Sequence, residues 1–331
     1  MGGCTVVPFP FSVVSILDRA QSRLGESEAA TLQQVIGRAQ RAERLGYRRF
    51  WVAEHHGVPG IAGSAPAVLV AAIASGTTTI RVGTGGIMLP HHQPLVVAEQ
   101  AATLAALSGS RFDLGIGRSL GFTQAVRTAL RAEKDDADRF GEDITELLAF
   151  LSGSAPITAR PQDGGRTPVF VLATGRGVDI AARAGLAVVL GGPALIRDSD
   201  PALKRYRTAF RPSSWWDKPH VSVSLNVAVA ETTAAARDLL LPEARALAVS
   251  RAKGYFPPLE AVAHEPLTAR EERLIDESLT AASYGTPDEV QQQLADLQAW
   301  TGADELLVSG GMADLEGQER SDELLAGLFA A

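Results

Sequence analysis

Short β-branched runs alternate with longer stretches of helical spacing eight times along this chain, and that alternation restricts the fold more than any other feature. Strands separated by helices run parallel, because each helix returns the chain to the edge from which the next strand starts. The strands are expected at residues 11–17 (FSVVSIL), 49–53 (RFWVA), from 80, at 112–116 (FDLGI), 169–172 (VFVL), 187–190 (AVVL), 221–229 (VSVSLNVAV) and 305–308 (ELLV). Between them lie apolar stripes of helical period. Leu32, Val35, Ile36, Ala39, Ala42 and Leu45 form one before Gly46, and Phe140, Ile144, Leu147, Leu148 and Leu151 form another. Further helices are expected over 64–74, 95–107, 201–210, 232–249 and 321–329, before Gly185, and from the Thr286-Pro287-Asp288-Glu289 start signal through Trp300. Residues 251–272, with Pro257, Pro258 and Pro266, read as an excursion outside the core.

Eight such pairs in 331 residues predict one domain over 1–331, a (β/α)8 TIM barrel of the α/β class with insertions. An open doubly wound sheet is the alternative. It is disfavoured because Gly115-Ile116-Gly117 is followed by Gly121, one residue too late for the dinucleotide fingerprint.

Composition narrows the function. Hydrophobic residues make up 46% and charged ones 21%, a globular mixture, and a net charge of −7 with dispersed arginines argues against a nucleic-acid groove. The only cysteine is Cys4, so no intrachain disulfide or cysteine-based metal site is available, and a reducing cytoplasm is expected. Gly2 follows Met1, but Val6 stands where a myristoylation signal needs Ser or Thr. No apolar run approaches the ~20 residues of a membrane span. Residues 1–10 read as a lead-in without function, and small-molecule chemistry is the expected role.

In parallel β/α proteins the chemistry lies at the carboxyl ends of the strands. Residues 80–119 hold two such ends with a helix between them. Glu54-His55-His56 closes the second strand, and His91-His92 follows the third. Neighbours on extended backbone point to opposite sides, so neither histidine pair offers two ligands to one ion, and no metal is expected. An imidazole acting as acid or base is one reading, and histidines that merely cap strand ends are the other. Gly83-Thr84-Gly85-Gly86 suits either a flat ring lying on the backbone or a crowded barrel interior. Arg118 and the turn Thr174-Gly175-Arg176-Gly177 combine a guanidinium with a glycine-rich helix start, the parts of an anion site, with Arg176 either a second cation or a solvated side chain. Trp51, Phe122, Trp215 and Trp216 belong either to a pocket for aromatic compounds or to the core.

The segments RFWVAEHH, GTGGIMLPHHQPLVVAEQ, SGSRFDLGIGRS, DIAARAGL and GTPDEV resemble those of the bacterial luciferase-like flavin monooxygenases over nearly the whole chain. The nearer likeness is to the alkanal-monooxygenase-like branch, which includes polyketide-tailoring enzymes. The resemblance implies a (β/α)8 barrel, usually a homodimer, that holds FMN as FMNH2, or the deazaflavin F420, at the carboxyl ends of its strands. It implies His55 as the catalytic histidine and a non-prolyl cis peptide at Gly85-Gly86 beneath the flavin. Arg118, Thr174 and Gly175 match the phosphate site, whose turn Arg176 and Gly177 complete. Gly117 replaces the reactive cysteine of light-emitting luciferases, the phosphate turn is one residue shorter than theirs, and residues 310–317 lack the aromatic and histidine residues common in the branch. The activity implied is oxygenation of a small organic substrate with O2 and FMNH2 from a separate flavin reductase. F420-dependent hydride transfer and flavin binding without turnover are the alternatives. His56 and His91 are second-rank candidates for orienting substrate or flavin, and His91-His92 is placed at the pocket mouth without a firmer assignment.

Overall fold

In the computed structural model the described residues are 9–121, 123–162, 166–191, 199–261 and 266–330. Cys4 and Phe122 lie outside them. Eight parallel strands close into a barrel: β1 (Val14–Asp18), β2 (Arg49–Val52), β3 (Arg81–Met88), β4 (Phe112–Gly117), β5 (Val169–Leu172), β6 (Ala187–Gly191), β7 (Val221–Val229) and, after the three-residue β8 (Ser283–Gly285), β9 (Glu305–Ser309). Closure comes from two registers. Val188 of β6 pairs with Val221 of β7, and Leu306 of β9 pairs with both Val223 of β7 and Val14 of β1. The expected barrel is therefore present. The ninth strand, β8, extends the upper end of β7, with Ser283 opposite Val227.

The helices α1 (Glu28–Arg44), α2 (Pro66–Ser75), α3 (Pro94–Leu107), α4 (Gln124–Ala129), α5 (Phe140–Ser152), α6 (Arg176–Ala184), α7 (Ser199–Ala209), α8 (Thr233–Lys253), α9 (Ala269–Thr280), α10 (Pro287–Thr301) and α11 (Leu315–Phe329) punctuate the strands. Their ends follow local chemistry. Thr286 and Glu289 form a reciprocal capping box before α10, and Gly302 ends that helix in the left-handed region at φ 57°. Three helical features depart from the sequence reading. The closing helix starts at Leu315 behind the cap of Asp314 rather than at 321; α4 occupies a stretch without visible period; and α9 begins inside the expected excursion. Phe256 and Leu259 of that excursion are buried with Val58 and Ile61.

Alternation along the strands sorts the barrel's bore into layers. At the bottom, Arg49 of β2 reaches Asp113 of β4 at 2.7 Å and Glu305 of β9 at 3.0 Å, while Arg81 meets Asp113 at 2.6 Å. Above it Leu17, Trp51, Phe170, Ala187 and Leu307 fill the middle, with the rings of Trp51 and Phe170 edge to face at 4.8 Å. Trp51 is thus barrel filling, Trp216 packs on Phe170 at 5.2 Å, and Trp215 lies near Arg166. These three tryptophans serve packing rather than the cavity described below. The next layer up, from Arg19 and Ala53 to Gly85, Gly117, Leu172, Val189 and Ser224, faces that cavity.

Candidate active site

The upper layer lines a cavity of about 490 Å³ at the carboxyl ends of the strands. His55, His56, Gly85, Gly86, Arg118 and Thr174 all line it, so residues drawn from four strand ends share one space. A second cavity of about 300 Å³ adjoins it, with Arg19, His55 and Ser224 common to both walls.

The glycine floor arises where the β3–β4 register slips between Thr84 and Ile87. There the Thr84 hydroxyl donates to the Gly115 carbonyl at 2.8 Å and accepts from its N–H at 3.1 Å, replacing ladder bonds with side-chain ones. The Gly85–Gly86 peptide is cis. A Cβ on Gly85 would stand 2.4 Å from Leu17 Cδ1, and one on Gly86 would stand 3.0 Å from the Gly115 backbone. Crowding in the bore therefore accounts for both glycines, and they also leave a side-chain-free patch on the cavity wall.

The cationic end is built by β4 and α6. Arg118 follows β4, its guanidinium 3.9 Å from the exposed Asp138 carboxylate. Gly175, at φ 54° and with open space around it, precedes the first turn of α6. Gly177 is buried against Ala173 and the Arg118 stem. The helix start adds partial positive charge to that of the guanidinium. Arg176 is exposed and, like Gly175 and Gly177, does not line the cavity. The solvated reading of Arg176 is the one its position matches.

His55 and His56 diverge, as neighbours on an extended segment do. The His55 main-chain N–H donates to the Gly63 carbonyl at 2.8 Å, and its ring lies between the two cavities. Desolvation, reinforced by the nearby Arg19 cation and outweighing the Glu54 carboxylate, lowers its pKa to about 4. The ring is therefore neutral near pH 7, with one nitrogen able to accept and one to donate. His56 turns toward Glu54, its Nε2 2.6 Å from Oε1, and His92 Nε2 approaches the same oxygen at 2.8 Å. The Met88 N–H donates to the other oxygen at 3.0 Å. Burial raises the Glu54 pKa, but these hydrogen bonds outweigh it and hold the carboxyl at about 2. His91 stays outside this cluster, its ring 6.2 Å from that of His56.

Two wall residues escaped the sequence reading. Arg19 follows the first strand and pairs with the buried Glu243 of α8, whose other oxygen accepts from the Gly311 N–H at 2.6 Å and from Asn226 at 3.3 Å. The signal was available: Asp18-Arg19 places charges directly after a buried strand. Ser224 offered none, because serines alternate all along the β7 sequence. The site thus combines a cationic end, a bare backbone patch and a neutral imidazole in one cavity. That set suits a flat, phosphate-bearing cofactor and proton transfer beside it.

The luciferase-like monooxygenase family profile matches residues 12–304. A luciferase-like monooxygenase of Escherichia coli is 33% identical over 317 residues, covering 94% of this chain and 95% of its own. The crystal structure of apo-MsnO8 superposes with a TM-score of 0.85 at 34% identity, covering 97% of this chain and 98% of that one. More distant structures share the fold. The oxygenating constituent of 3,6-diketocamphane monooxygenase from Pseudomonas putida, in complex with FMN, has a TM-score of 0.75 at 19% identity and covers 96% of this chain and 97% of that one. An F420-dependent secondary alcohol dehydrogenase has a TM-score of 0.70 at 16% identity, with 96% and 99% covered. Matched along its barrel from the first strand to the last helix before β9, the chain belongs to the luciferase-like monooxygenase family and is a flavin-dependent monooxygenase.

Proposed function

We propose that the chain oxygenates a small organic substrate with O2 and FMNH2 supplied by a separate flavin reductase, in the cytoplasm. The observation that carries this reading is the meeting of Arg118, Thr174 just ahead of α6 and the Gly85-Gly86 patch in one cavity of about 490 Å³. That volume falls within the range of about 300–1,000 Å³ usual for small-molecule sites. Arg118, with Thr174 and the Gly175–Gly177 turn, holds the phosphate of FMN, and Gly85 and Gly86 lie under its ring. Bound there, FMNH2 supplies the electrons and the activation of O2. The chain supplies position, a floor sealed from below by the packed plug of the bore, and proton management at a ring nitrogen of His55. His56, held by Glu54, orients His55's surroundings rather than exchanging the proton itself. The likeness to the polyketide-tailoring branch supports a natural-product substrate. Exposed Val68 on α2, with Val96 and Leu107 on α3, supports a homodimer through those helices.

Anaerobic titration of the apoprotein with FMNH2 and with reduced F420 tests the cofactor. Tight FMNH2 binding with negligible F420 binding is expected; the reverse preference overturns the assignment in favour of hydride transfer. Rapid mixing of the FMNH2 complex with O2 tests turnover, and the absence of any oxygen-derived flavin absorbance would favour binding without catalysis.

A further inference from the structure

Glu54, His56 and His92 offer three ligand atoms that lie within 4.8 Å of one another. The spacing of the histidines in sequence concealed this, because neither adjacent pair converges; one member of each pair does, on a carboxylate two residues before the first. The three come from two supports: Glu54 and His56 lie two residues apart on the segment after β2, and His92 follows the turn Leu89–His91 after β3. Glu54 is 4% exposed, and the Met88 N–H fixes the carboxylate oxygen that does not face the imidazoles. That is the outer-shell anchoring which orients a ligating carboxylate. His56 and His92 are each partly open, with His56 and Glu54 in the cavity wall, so an ion has an entry path and room for water as a fourth ligand.

We propose that Glu54, His56 and His92 form a binding site for a divalent transition cation, zinc in particular. Two imidazole nitrogens and one carboxylate oxygen with an open fourth position are the donor set that zinc accepts in tetrahedral sites. The nitrogen–oxygen separations of 2.6 and 2.8 Å are shorter than the roughly 3.3 Å edge of a tetrahedron with zinc bonds of about 2.05 Å. Small rotations of the two part-exposed rings open the set to that size, while the anchored carboxylate stays in place. Because Glu54 and His56 line the cavity, zinc there inhibits the enzyme; this clause rests on the flavin reading, whereas binding itself does not.

The test uses full-length, tag-free protein stripped with a chelator and free of flavin. Calorimetric titration with ZnCl2 is expected to show about one site per chain, and His92→Ala and Glu54→Gln are each expected to weaken it by about tenfold or more. His220→Ala, which removes a histidine from the opposite end of the bore, leaves the affinity unchanged. Cobalt(II) added in place of zinc gives visible absorption of a tetrahedral site in the parent and none in His92→Ala. Circular dichroism shows which variants are folded. Zinc affinity within threefold of the parent in folded His56→Ala and His92→Ala, or the absence of a zinc-binding isotherm in the parent, overturns the proposal. Since no flavin is present, failure of the cofactor assignment leaves this result untouched.

Discussion

The stem of Arg118 lies against Gly177, so that a Cβ at position 177 would stand 3.9 Å from Arg118 Cδ as well as 2.8 Å from the Ala173 Cβ. The close approach of Ala173 is what excludes a side chain from the first turn of α6, and the stem of Arg118, just after β4, packs beside that turn at ordinary contact distance. Arg118→Ala removes the guanidinium together with the stem that lies beside Gly177. We expect FMNH2 affinity to fall by roughly 10- to 100-fold, in line with about 1.5–3 kcal/mol for a hydrogen bond to a charged group. Anaerobic fluorescence titration measures it; unchanged affinity would move the phosphate elsewhere.

His55→Ala is expected to keep FMNH2 affinity near that of the parent and to slow substrate oxidation by about 100-fold or more, the scale of a lost acid–base group. Binding and single-turnover rates are measured separately. Equal loss in both would mean that the ring supports the pocket rather than the chemistry.

Asp113→Ala leaves Arg49 and Arg81 in the bore without the carboxylate they share. Removing one partner of a buried ion pair costs about 3–5 kcal/mol, and that much loss of stability is expected in urea unfolding at neutral pH. A loss below about 1 kcal/mol would show that water or Glu305 compensates.

Glu43 of α1 accepts the main-chain N–H groups of Thr78, Thr79 and Ile80, tying the helix to the approach of β3. Burial raises its pKa, and these bonds outweigh burial to set it at about 2. A carboxyl with a folded pKa below its unfolded value of about 4.5 stabilises the fold above that value, and its contribution is lost as pH falls toward 2. Glu43 is partly exposed, so solvent screening keeps the effect modest. Unfolding midpoints of the parent should drop between pH 5 and about 2.5 more than those of Glu43→Gln; parallel curves would remove Glu43 from the acid response.

The barrel was legible because parallel strands are buried on both faces, so VFVL at β5 and AVVL at β6 stand out as unbroken apolar runs. The elements that escaped carry little local signal. Three residues of β8 are too few for a pattern, α4 has no buried residue, and Glu316 and Gly317 hide the start of α11. In the site, the sequence pointed to the strand ends and to Arg118 and His55. It could not show that His92 turns to Glu54 while His91 does not, since that choice is made by the path of the turn at residues 89–91.

Arg49 joins Asp113 of β4 to Glu305 of β9 across the foot of the bore, below a plug of Trp51 and Phe170 and away from the cavity. The charged cross-tie therefore sits at the opposite end of the barrel from the cavity that meets ligands. Loops above the plug are open to replacement, by evolution or by an engineer seeking new substrates, without disturbing the cross-tie that keeps the staves together.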